Sequence, residues 1–231
     1  MQKKTNFDFE KGELLLFNKP LTWTSFDLVR KVKYITKAKK VGHAGTLDPL
    51  ASGLLIICTG KLTKSIDQIQ AMEKEYTGTF KLGATTSSYD LEREIDLTFD
   101  ISSITEEDIL NTVKKFIGEI DQFPPQHSAK KVDGKRAYEL ARIGKVANLE
   151  AKRIKIYEFE ITGIELPLVH FRVVCSKGTY VRSLAHDFGK ELNNGAHLVA
   201  LVRTKIGKYS LEDAHEIDDF ANLLKSNTVT T

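Results

Sequence analysis

The 231-residue sequence is poor in residues that serve disulfide or metal chemistry. It has two cysteines, Cys58 and Cys175, and each lies in an apolar run, which predicts reduced core residues and not a disulfide or metal pair. The six histidines are scattered, and neither a His-Glu-x-x-His nor a Cys-x-x-Cys spacing occurs. We therefore expect no metal site.

Long apolar segments are missing as well. No window reaches the roughly 20 apolar residues that a membrane-spanning helix needs, and the N-terminal segment lacks the apolar region and cleavage site of a signal peptide. The sequence also lacks internal repeats and low-complexity segments. These absences predict a cytoplasmic protein without membrane association.

Three common catalytic loops are absent too. Gly60-Lys61 is followed by Leu62, so there is no Walker A loop, and neither a dinucleotide-binding Gly-x-Gly-x-x-Gly nor a Gly-x-Ser-x-Gly elbow is present. The sequence therefore has none of the usual motifs for binding a nucleotide cofactor or for serine hydrolysis. Catalysis by this chain would use ordinary side chains and no cofactor.

The sequence does contain enough apolar residues, 41%, to bury one substantial core. Apolar runs and alternations predict strands at 14–17, 54–58, 76–82, 154–166, 169–175 and 197–204. Ser25 is predicted to cap a helix with Phe26, Val29, Val32 and Ile35 on its apolar face. Further helices are predicted to begin at Thr105 and to span 137–143, 180–192 and 217–224. This mixture, without βαβ alternation, predicts an α/β (α+β) fold with a mixed, largely antiparallel central sheet flanked by helices and loops. We expect a single domain over 1–231.

Positive charge is concentrated in an insertion at about 124–153 and the residues that follow it. Between Lys130 and Lys155, nine basic residues face three acidic ones, although the net charge of the whole chain is only +3. Such a run is often only a solvated face. The Pro124-Pro125 pair before it and Tyr138 within it fit a flexible clasp that becomes ordered on RNA.

A glycine-bearing loop holds the main candidate for chemistry. Residues 42–55 read GHAGTLDPLASGLL, with Asp48 directly before Pro49. An Asp-Pro pair taken alone is most often a turn, but glycines allow a close backbone approach to a ligand. The complete string, without gaps, resembles the catalytic loop G-H-x-G-x-L-D-P-x-A-x-G-L-L of the TruB-type tRNA pseudouridine synthases.

The resemblance extends over nearly the whole chain. The other matching segments are LLFNKPLTWTS at 15–25, KEY at 74–76, the stretch 124–142, CSKGTYVRSL at 175–184 and GAHLVALVRTK at 195–205. Thr22, Ser87 and Arg93 depart from the family pattern, whereas Asp90 matches it. Because the chain stops soon after its last predicted strand, the C-terminal PUA-type RNA-binding module of many relatives is expected to be missing.

The resemblance implies four catalytic residues. Asp48 is the nucleophile, and Arg182 is the cation that favours its charged form. Tyr76 stacks on the flipped uracil and has a hydroxyl near C5, where a proton must leave. Tyr180 positions Asp48 and Tyr76. Without the motifs, Arg182 would be interpreted as a surface cation and Tyr76 as an ordinary strand aromatic.

The resemblance also implies substrate-binding residues. His43 stacks among the bases of the RNA loop and fills the gap that the extruded nucleotide leaves, although alone it would be a loop histidine without a role. Leu201 forms the apolar floor of the pocket. The remaining residues expected to bind RNA are Lys19, Asp90, Lys130, Lys131 and Arg136.

The implied function is isomerisation of uridine 55 in the TΨC loop of tRNA to pseudouridine. The expected partner is the TΨC stem-loop, with no obligatory protein partner, and the expected state is a monomer. One alternative is a non-catalytic tRNA-binding or folding module on the same scaffold, which would not need Asp48, Tyr76 and Arg182 together. A second alternative is the guide-directed relative that modifies ribosomal RNA, a type that depends on partner proteins and on the C-terminal module.

Overall fold

The computed structural model describes residues 6–128, 130–132, 134–142 and 147–228. The described residues form two compact units. The first unit contains residues up to Tyr76 together with those from Val202 onwards, and the second contains Thr77 to Leu201. No helix in these described ranges is long and apolar enough to cross a membrane.

The first unit is built around one completely buried strand. Its elements are β1 (Leu14–Lys19), α1 (Ser25–Thr36), β2 (Val41–His43), β3 (Ser52–Thr59), α2 (Ile66–Ala71), part of β12 (Ala196–Ile206), β13 (Tyr209–Ser210) and α6 (Ile217–Thr228). Strand β3 pairs antiparallel with β1 and with β2, and parallel with β12. Strand β12 pairs antiparallel with β13.

The continuous apolar run of β3 is explained by burial on both faces. Leu55 and Ile57 pack with apolar residues of β1, α1 and α6, among them Phe17 and Phe220. Leu54, Ile56 and Cys58 point to the opposite face and pack in a second cluster with Ala44, Ile69 and Ile206. Successive strand residues face opposite sides, so a strand that is covered on both sides needs apolar residues at every position.

The second unit contains most of β4 (Lys74–Leu82) and a larger antiparallel hairpin. Its other elements are β5 (Ala84–Thr86), β6 (Ile95–Thr98), α3 (Glu106–Lys114), β7 (Gly118–Gln122), β8 (Lys131–Val132), β9 (Lys135–Arg136), α4 (Ala137–Arg142), β10 (Lys152–Glu165), β11 (Leu168–Cys175) and α5 (Val181–Glu191). The strands follow the order β4-β11-β10-β7. An aromatic cluster fills the core, formed by Phe80, Phe116, Phe159, Phe171 and Phe188.

The predicted fold class is confirmed, since the chain has a mixed α/β fold with a largely antiparallel sheet. Both cysteines are free and buried, as predicted. Thr105 caps α3 through a capping box with Asp108, and the predicted helix after Gly178 is α5. The helices and strands that the sequence patterns missed are short and contain polar residues, namely β2, β5, β6, β7, β8, β9, β13 and α2.

Two details of the first predicted helix were wrong. Thr24, and not Ser25, is the N-cap: its hydroxyl accepts a hydrogen bond from the Asp27 amide at 3.0 Å, and the Asp27 carboxylate accepts one from the Thr24 amide at 2.9 Å. Ser25 is buried instead. Phe26 was expected on the apolar face, but it is 64% exposed, and Leu28 is buried in its place with Val29 and Val32. Val29 and Val32 are buried as predicted, so only the first position of the predicted stripe was wrong.

Candidate functional site

The loop between β2 and β3 presents Asp48 in a half-buried position. Two glycines at the ends of this loop have left-handed backbones, Gly45 with φ of 98° and Gly53 with φ of 104°. A Cβ atom on Gly53 would lie only 2.4 Å from the Arg203 carbonyl oxygen, so a side chain is excluded there by space as well as by φ. Within the loop, the Asp48 carbonyl accepts a hydrogen bond from the Ala51 amide at 3.1 Å.

Arg203 holds both ends of this loop by their backbone. Its side chain is almost completely buried, with 1% exposure. The guanidinium donates to the carbonyl oxygens of Gly45 at 3.1 Å, Thr46 at 3.3 Å and Leu54 at 2.8 Å. These contacts connect residues before and after Asp48, so Arg203 constrains the path of the loop that carries the carboxylate.

Two hydrogen-bonded contacts attach the loop to the segment that precedes it. The Ser25 hydroxyl accepts from the Leu47 amide at 2.8 Å and donates to the Leu47 carbonyl at 3.0 Å. The Thr22 amide donates to the Pro49 carbonyl at 2.8 Å. The residues on both sides of Asp48 are therefore fixed to the start of α1 and to the turn before it.

Lys19 is a buried cation near Asp48. Its ammonium donates to the carbonyl oxygens of Pro20 at 2.8 Å and Trp23 at 2.6 Å. Burial lowers the pKa of Lys19 to about 8; the Asp48 carboxylate opposes this shift and the Arg203 charge adds to it. The first unit thus brings Lys19, Asp48 and Arg203 into one electrostatic cluster.

His43 ends β2, two residues before Gly45. Burial lowers the pKa of His43 below its ordinary value, with a smaller contribution from the positive charge of Arg203. A hydrogen bond with the Gly45 backbone opposes this shift. The lowered pKa favours the neutral form of the ring, which suits stacking and not ion pairing.

Tyr76 and Leu201 lie in the strands β4 and β12. Both are nearly buried, with 9% and 8% exposure. Beside Tyr76, Glu75 accepts a hydrogen bond from the Thr204 hydroxyl at 2.8 Å and pairs with Lys205 at 3.2 Å. These polar contacts hold β4 where Tyr76 is located.

In the second unit, Arg182 and Asp90 form a buried ion pair. The Arg182 Nε and Asp90 Oδ2 atoms are 3.6 Å apart, and both side chains are 7% exposed. The guanidinium also donates to the carbonyl oxygens of Ser88 at 3.3 Å and His127 at 3.1 Å. Arg182 and Asp90, two predicted site residues that are 92 positions apart in the sequence, therefore lie together. The carbonyl groups of Ser88 and His127 also contact the Arg182 guanidinium.

Tyr180 is the N-cap residue of α5 and is held by Gln122. The Gln122 side chain accepts from the Tyr180 amide at 2.7 Å and donates to its carbonyl at 3.1 Å. Gln122 is 2% exposed, at the end of β7. This two-point contact positions the backbone from which both Tyr180 and Arg182 project.

The predicted basic clasp contains a short hairpin followed by a helix. Lys131 pairs with Arg136, and Val132 pairs with Lys135, in the β8–β9 ladder. The Lys130 ammonium donates to the Glu150 carbonyl at 3.1 Å. The side chains of Lys131 and Arg136 lie outside the described part of the structure. Their predicted contacts with RNA stay predictions.

Sequence reasoning assigned no role to Arg203 or Gln122, and it assigned Ser25 only to a helix cap. Each is polar and almost completely buried, and each holds backbone next to a predicted site residue. Arg203 lies within the matched segment GAHLVALVRTK, so the segment was identified although its arginine was not. No local pattern distinguishes Ser25 or Gln122 from surface residues.

Among the described residues, no group of three or more His, Cys, Asp or Glu could hold a metal ion.

Family models match nearly the entire sequence. Residues 33–181 match the N-terminal domain of the TruB family of pseudouridylate synthases. Residues 182–230 match the C-terminal domain of tRNA pseudouridylate synthase B. A tRNA pseudouridine synthase B of Flavobacterium johnsoniae is 56% identical to this chain, covering 94% of this chain and 98% of the relative. A protein of the same name from Parabacteroides distasonis is 54% identical, covering 96% and 97%.

Two solved structures have a similar fold over most of this chain. A chain in a Cbf5-Nop10-Gar1 complex matches with a TM-score of 0.71 and 30% identity, over 93% of this chain and 54% of that one. A chain in an H/ACA ribonucleoprotein bound to a substrate RNA containing 2′-deoxyuridine matches with a TM-score of 0.69 and 28% identity, over 93% and 53%. The present chain thus spans about half the length of these solved chains.

Proposed function

This chain belongs to the TruB family of pseudouridylate synthases, and from that premise we propose that it isomerises uridine 55 in the TΨC loop of tRNA, with Asp48 as the nucleophile. The enzyme is a tRNA pseudouridine synthase, an isomerase, like the relatives that are similar to it over nearly their full length. The observation that carries the finer proposal is the Asp48 loop, a half-buried carboxylate on a backbone held by buried polar side chains.

The reaction requires both a nucleophile and a closed site. The C1′–N1 glycosidic bond of uridine breaks, the uracil turns, and C5 bonds to C1′. The proton on C5 leaves and N1 takes up a proton, so the product is an isomer of the substrate. A carboxylate divides this change into easier steps through a covalent intermediate. The detached base would be lost in open water, so the protein must hold it in place.

Each of the other catalytic roles rests on its family motif and on local structure. Tyr76 presents a ring from the nearly buried β4, and we assign it to stacking on the uracil and to proton removal at C5. Arg182 supplies the cation that favours an ionised carboxylate. Tyr180 is the positioning residue, and Leu201 contributes the apolar floor. The buried Lys19 adds positive charge on the Asp48 side.

RNA binding is assigned to His43 and to the basic clasp. A neutral imidazole can stack between bases in place of an extruded nucleotide, and the lowered pKa of His43 favours this form. Lys130, Lys131 and Arg136 lie in a segment of strong positive charge, which suits the phosphates of the stem. Asp90 supports binding indirectly through its ion pair with Arg182.

We further propose that the enzyme acts in the cytoplasm as a monomer, without a protein partner. The full-length similarity to tRNA pseudouridine synthase B proteins supports tRNA as the substrate. Two solved structures with a similar fold are assemblies with other components, so the purified protein is tested without partners.

The deciding experiment uses purified protein, an unmodified tRNA transcript and no other component. We expect pseudouridine at position 55 only, and we expect Asp48→Asn to abolish its formation while tRNA affinity changes little, because phosphate contacts dominate binding. Asp67→Asn is the matched control, since Asp67 is an exposed aspartate in the same unit.

Three results would count against the proposal. Pseudouridine at another position would contradict the uridine 55 assignment. A kcat of the Asp48→Asn enzyme above about 1% of wild type, a barrier change below about 2.7 kcal/mol, would remove Asp48 as the nucleophile. Binding without any product from the wild-type protein would favour a tRNA-binding module that does not catalyse.

A further inference from the structure

Helix α1 carries an exposed stripe of aromatic and basic side chains that no part of the proposed mechanism uses. Phe26, Arg30, Lys33, Tyr34 and Lys37 recur every three or four residues, so they share one face of the helix and the residue that ends it. We call these five residues the α1 stripe. The opposite face packs in the core through Leu28, Val29 and Val32.

The two aromatic rings of the stripe are unusually open to solvent. Phe26 is 64% exposed and Tyr34 is 71% exposed. The Arg30 guanidinium lies over the Phe26 ring at 5.7 Å, and the Lys37 ammonium lies over the Tyr34 ring at 4.4 Å. The stripe therefore offers flat apolar surfaces beside cations, over a length of about 16 Å along the helix.

The charge of this region is strongly one-sided. Residues 24–40 contain six basic residues and one acidic residue, although the whole chain has a net charge of +3. The single carboxylate, Asp27, is engaged in the capping box and pairs with Arg30. Among the described residues, no other carboxylate pairs with a cation of the stripe. The potential at this face is therefore positive.

The α1 stripe is attached to the loop that presents Asp48. Ser25, next to Phe26, holds Leu47 by both its amide and its carbonyl. Thr22 holds Pro49, and the neighbouring Leu21 is 56% exposed. Hydrogen bonds within one unit therefore join the start of the α1 stripe to the loop that carries Asp48.

We propose that the α1 stripe is a second contact surface for the tRNA substrate, in addition to the basic clasp. This inference rests on the proposed function, which supplies an RNA at Asp48. Arg30, Lys33 and Lys37 contact backbone phosphates, while Phe26 and Tyr34 pack on ribose or on an unstacked base. RNA fits the stripe better than an acidic peptide does, because flat exposed rings beside cations match sugar and base faces next to phosphates.

The test of the charges is the salt dependence of tRNA binding. Lys33→Gln/Lys37→Gln keeps helix propensity and removes two charges. Two phosphate contacts predict that the slope of log K against log salt becomes shallower by about 1.4 to 1.8, and that KM for tRNA rises. Lys208→Gln/Lys225→Gln makes the same charge change at exposed positions of the same unit and should bind tRNA like wild type.

The aromatic residues give an independent readout. Phe26→Gln/Tyr34→Gln leaves the charge unchanged, so tRNA affinity should fall at every salt concentration while the slope stays that of wild type. Because both rings are largely exposed, the thermal midpoint of unfolding should stay close to that of wild type, which separates lost contact from lost fold.

The proposal is overturned if the lysine pair and its control show the same salt slope and KM, or if the aromatic pair binds tRNA like wild type. Failure of the proposed function would look different, since the wild-type protein itself would then form no pseudouridine. Binding slopes are measured without turnover, so the α1 stripe can be tested in either case.

Discussion

At the scale of single residues, Arg203 combines a large polar group with almost complete burial. Its three described hydrogen bonds all go to backbone carbonyl oxygens, two in the Asp48 loop and one, of Leu54, at the start of β3. A buried acceptor that loses its donor costs about 1–3 kcal/mol. Arg203 therefore contributes to stability and to the shape of the loop at the same time.

We expect Arg203→Gln to lower the free energy of unfolding by at least about 2 kcal/mol, because more than one buried carbonyl loses its donor. Urea unfolding measures the change. Arg153→Gln is the control: Arg153 pairs with Glu119 and Asp121 but is 60% exposed, so its loss should cost less than about 1 kcal/mol. Equal costs for the two variants would contradict the buried role of Arg203.

Lys19 makes a prediction about pH. Its folded-state pKa of about 8 lies below the ordinary value of 10.5, so the unfolded chain binds more protons between these two pH values. The free energy of unfolding should therefore rise with pH in this window, relative to Lys19→Met, by up to about 1.4 kcal/mol per pH unit. The difference between the two proteins should be constant below pH 8.

Urea unfolding of both proteins at pH values from 7 to 10.5 tests this expectation. Subtracting the variant cancels other groups that titrate in the window, such as Cys58, whose pKa burial raises to about 11. Lys225→Met is the control, since Lys225 is exposed. Parallel curves for wild type and Lys19→Met would show that Lys19 keeps an ordinary pKa.

At the scale of elements, the start of α1 shows how two neighbouring polar residues divide their tasks. Thr24 satisfies the free amides of the helix, as N-cap residues do. Ser25 is turned into the interior and binds Leu47, which is 4% exposed. One hydroxyl therefore stabilises the helix locally, and the other connects the helix to the Asp48 loop.

Substituting these two residues should separate the two tasks. Thr24→Ala should cost about 1 kcal/mol of stability without a change in turnover. Ser25→Ala leaves the Leu47 amide without its partner and should cost about 1–3 kcal/mol, with faster amide hydrogen exchange at Leu47 and a lower kcat. If amide exchange at Leu47 in Ser25→Ala is the same as in wild type, the Ser25–Leu47 hydrogen bonds do not stabilise the loop.

At the scale of the whole molecule, a small net charge conceals strongly basic segments. The stretch from Lys130 to Lys155 carries an excess of six positive charges, twice the net charge of the chain. Negative charge is therefore concentrated elsewhere in the sequence. Such segregation favours a polyanionic partner at defined surfaces more than general attraction to any polyanion.

Replacing Lys130, Lys131, Lys135 and Arg136 together by glutamine should weaken tRNA binding. The slope of log K against log salt should shrink by roughly 0.7 to 0.9 for each of these charges that contacts a phosphate. Four exposed lysines make the matched control, replaced by glutamine at 114, 190, 208 and 225. A slope equal to that of the control would mean that the basic segment is only a solvated face.

Much of the fold could be predicted, because the spacing and the number of apolar residues in a segment directly reflect which of its faces are buried. The run Leu54 to Cys58 predicted a strand, and the structure places it between two apolar clusters. The short strands β5 and β6 could not be predicted, because they have only three and four residues. In β6, Ile95 and Leu97 alternate with polar residues, but both are exposed, so burial does not extend the pattern. The helix cap shifted to Thr24 because Asp27 completes a capping box there.

The sequence by itself determined the family, the fold class and the Asp48 loop, because these depend on long ordered strings and on apolar periodicity. Only the tertiary structure decided which distant polar groups meet. It joined Arg203 to Gly45, Arg182 to Asp90, and Gln122 to Tyr180. Every buried polar group needs a hydrogen-bond partner. Which residue becomes that partner depends on how the chain folds, because the two residues are far apart in the sequence.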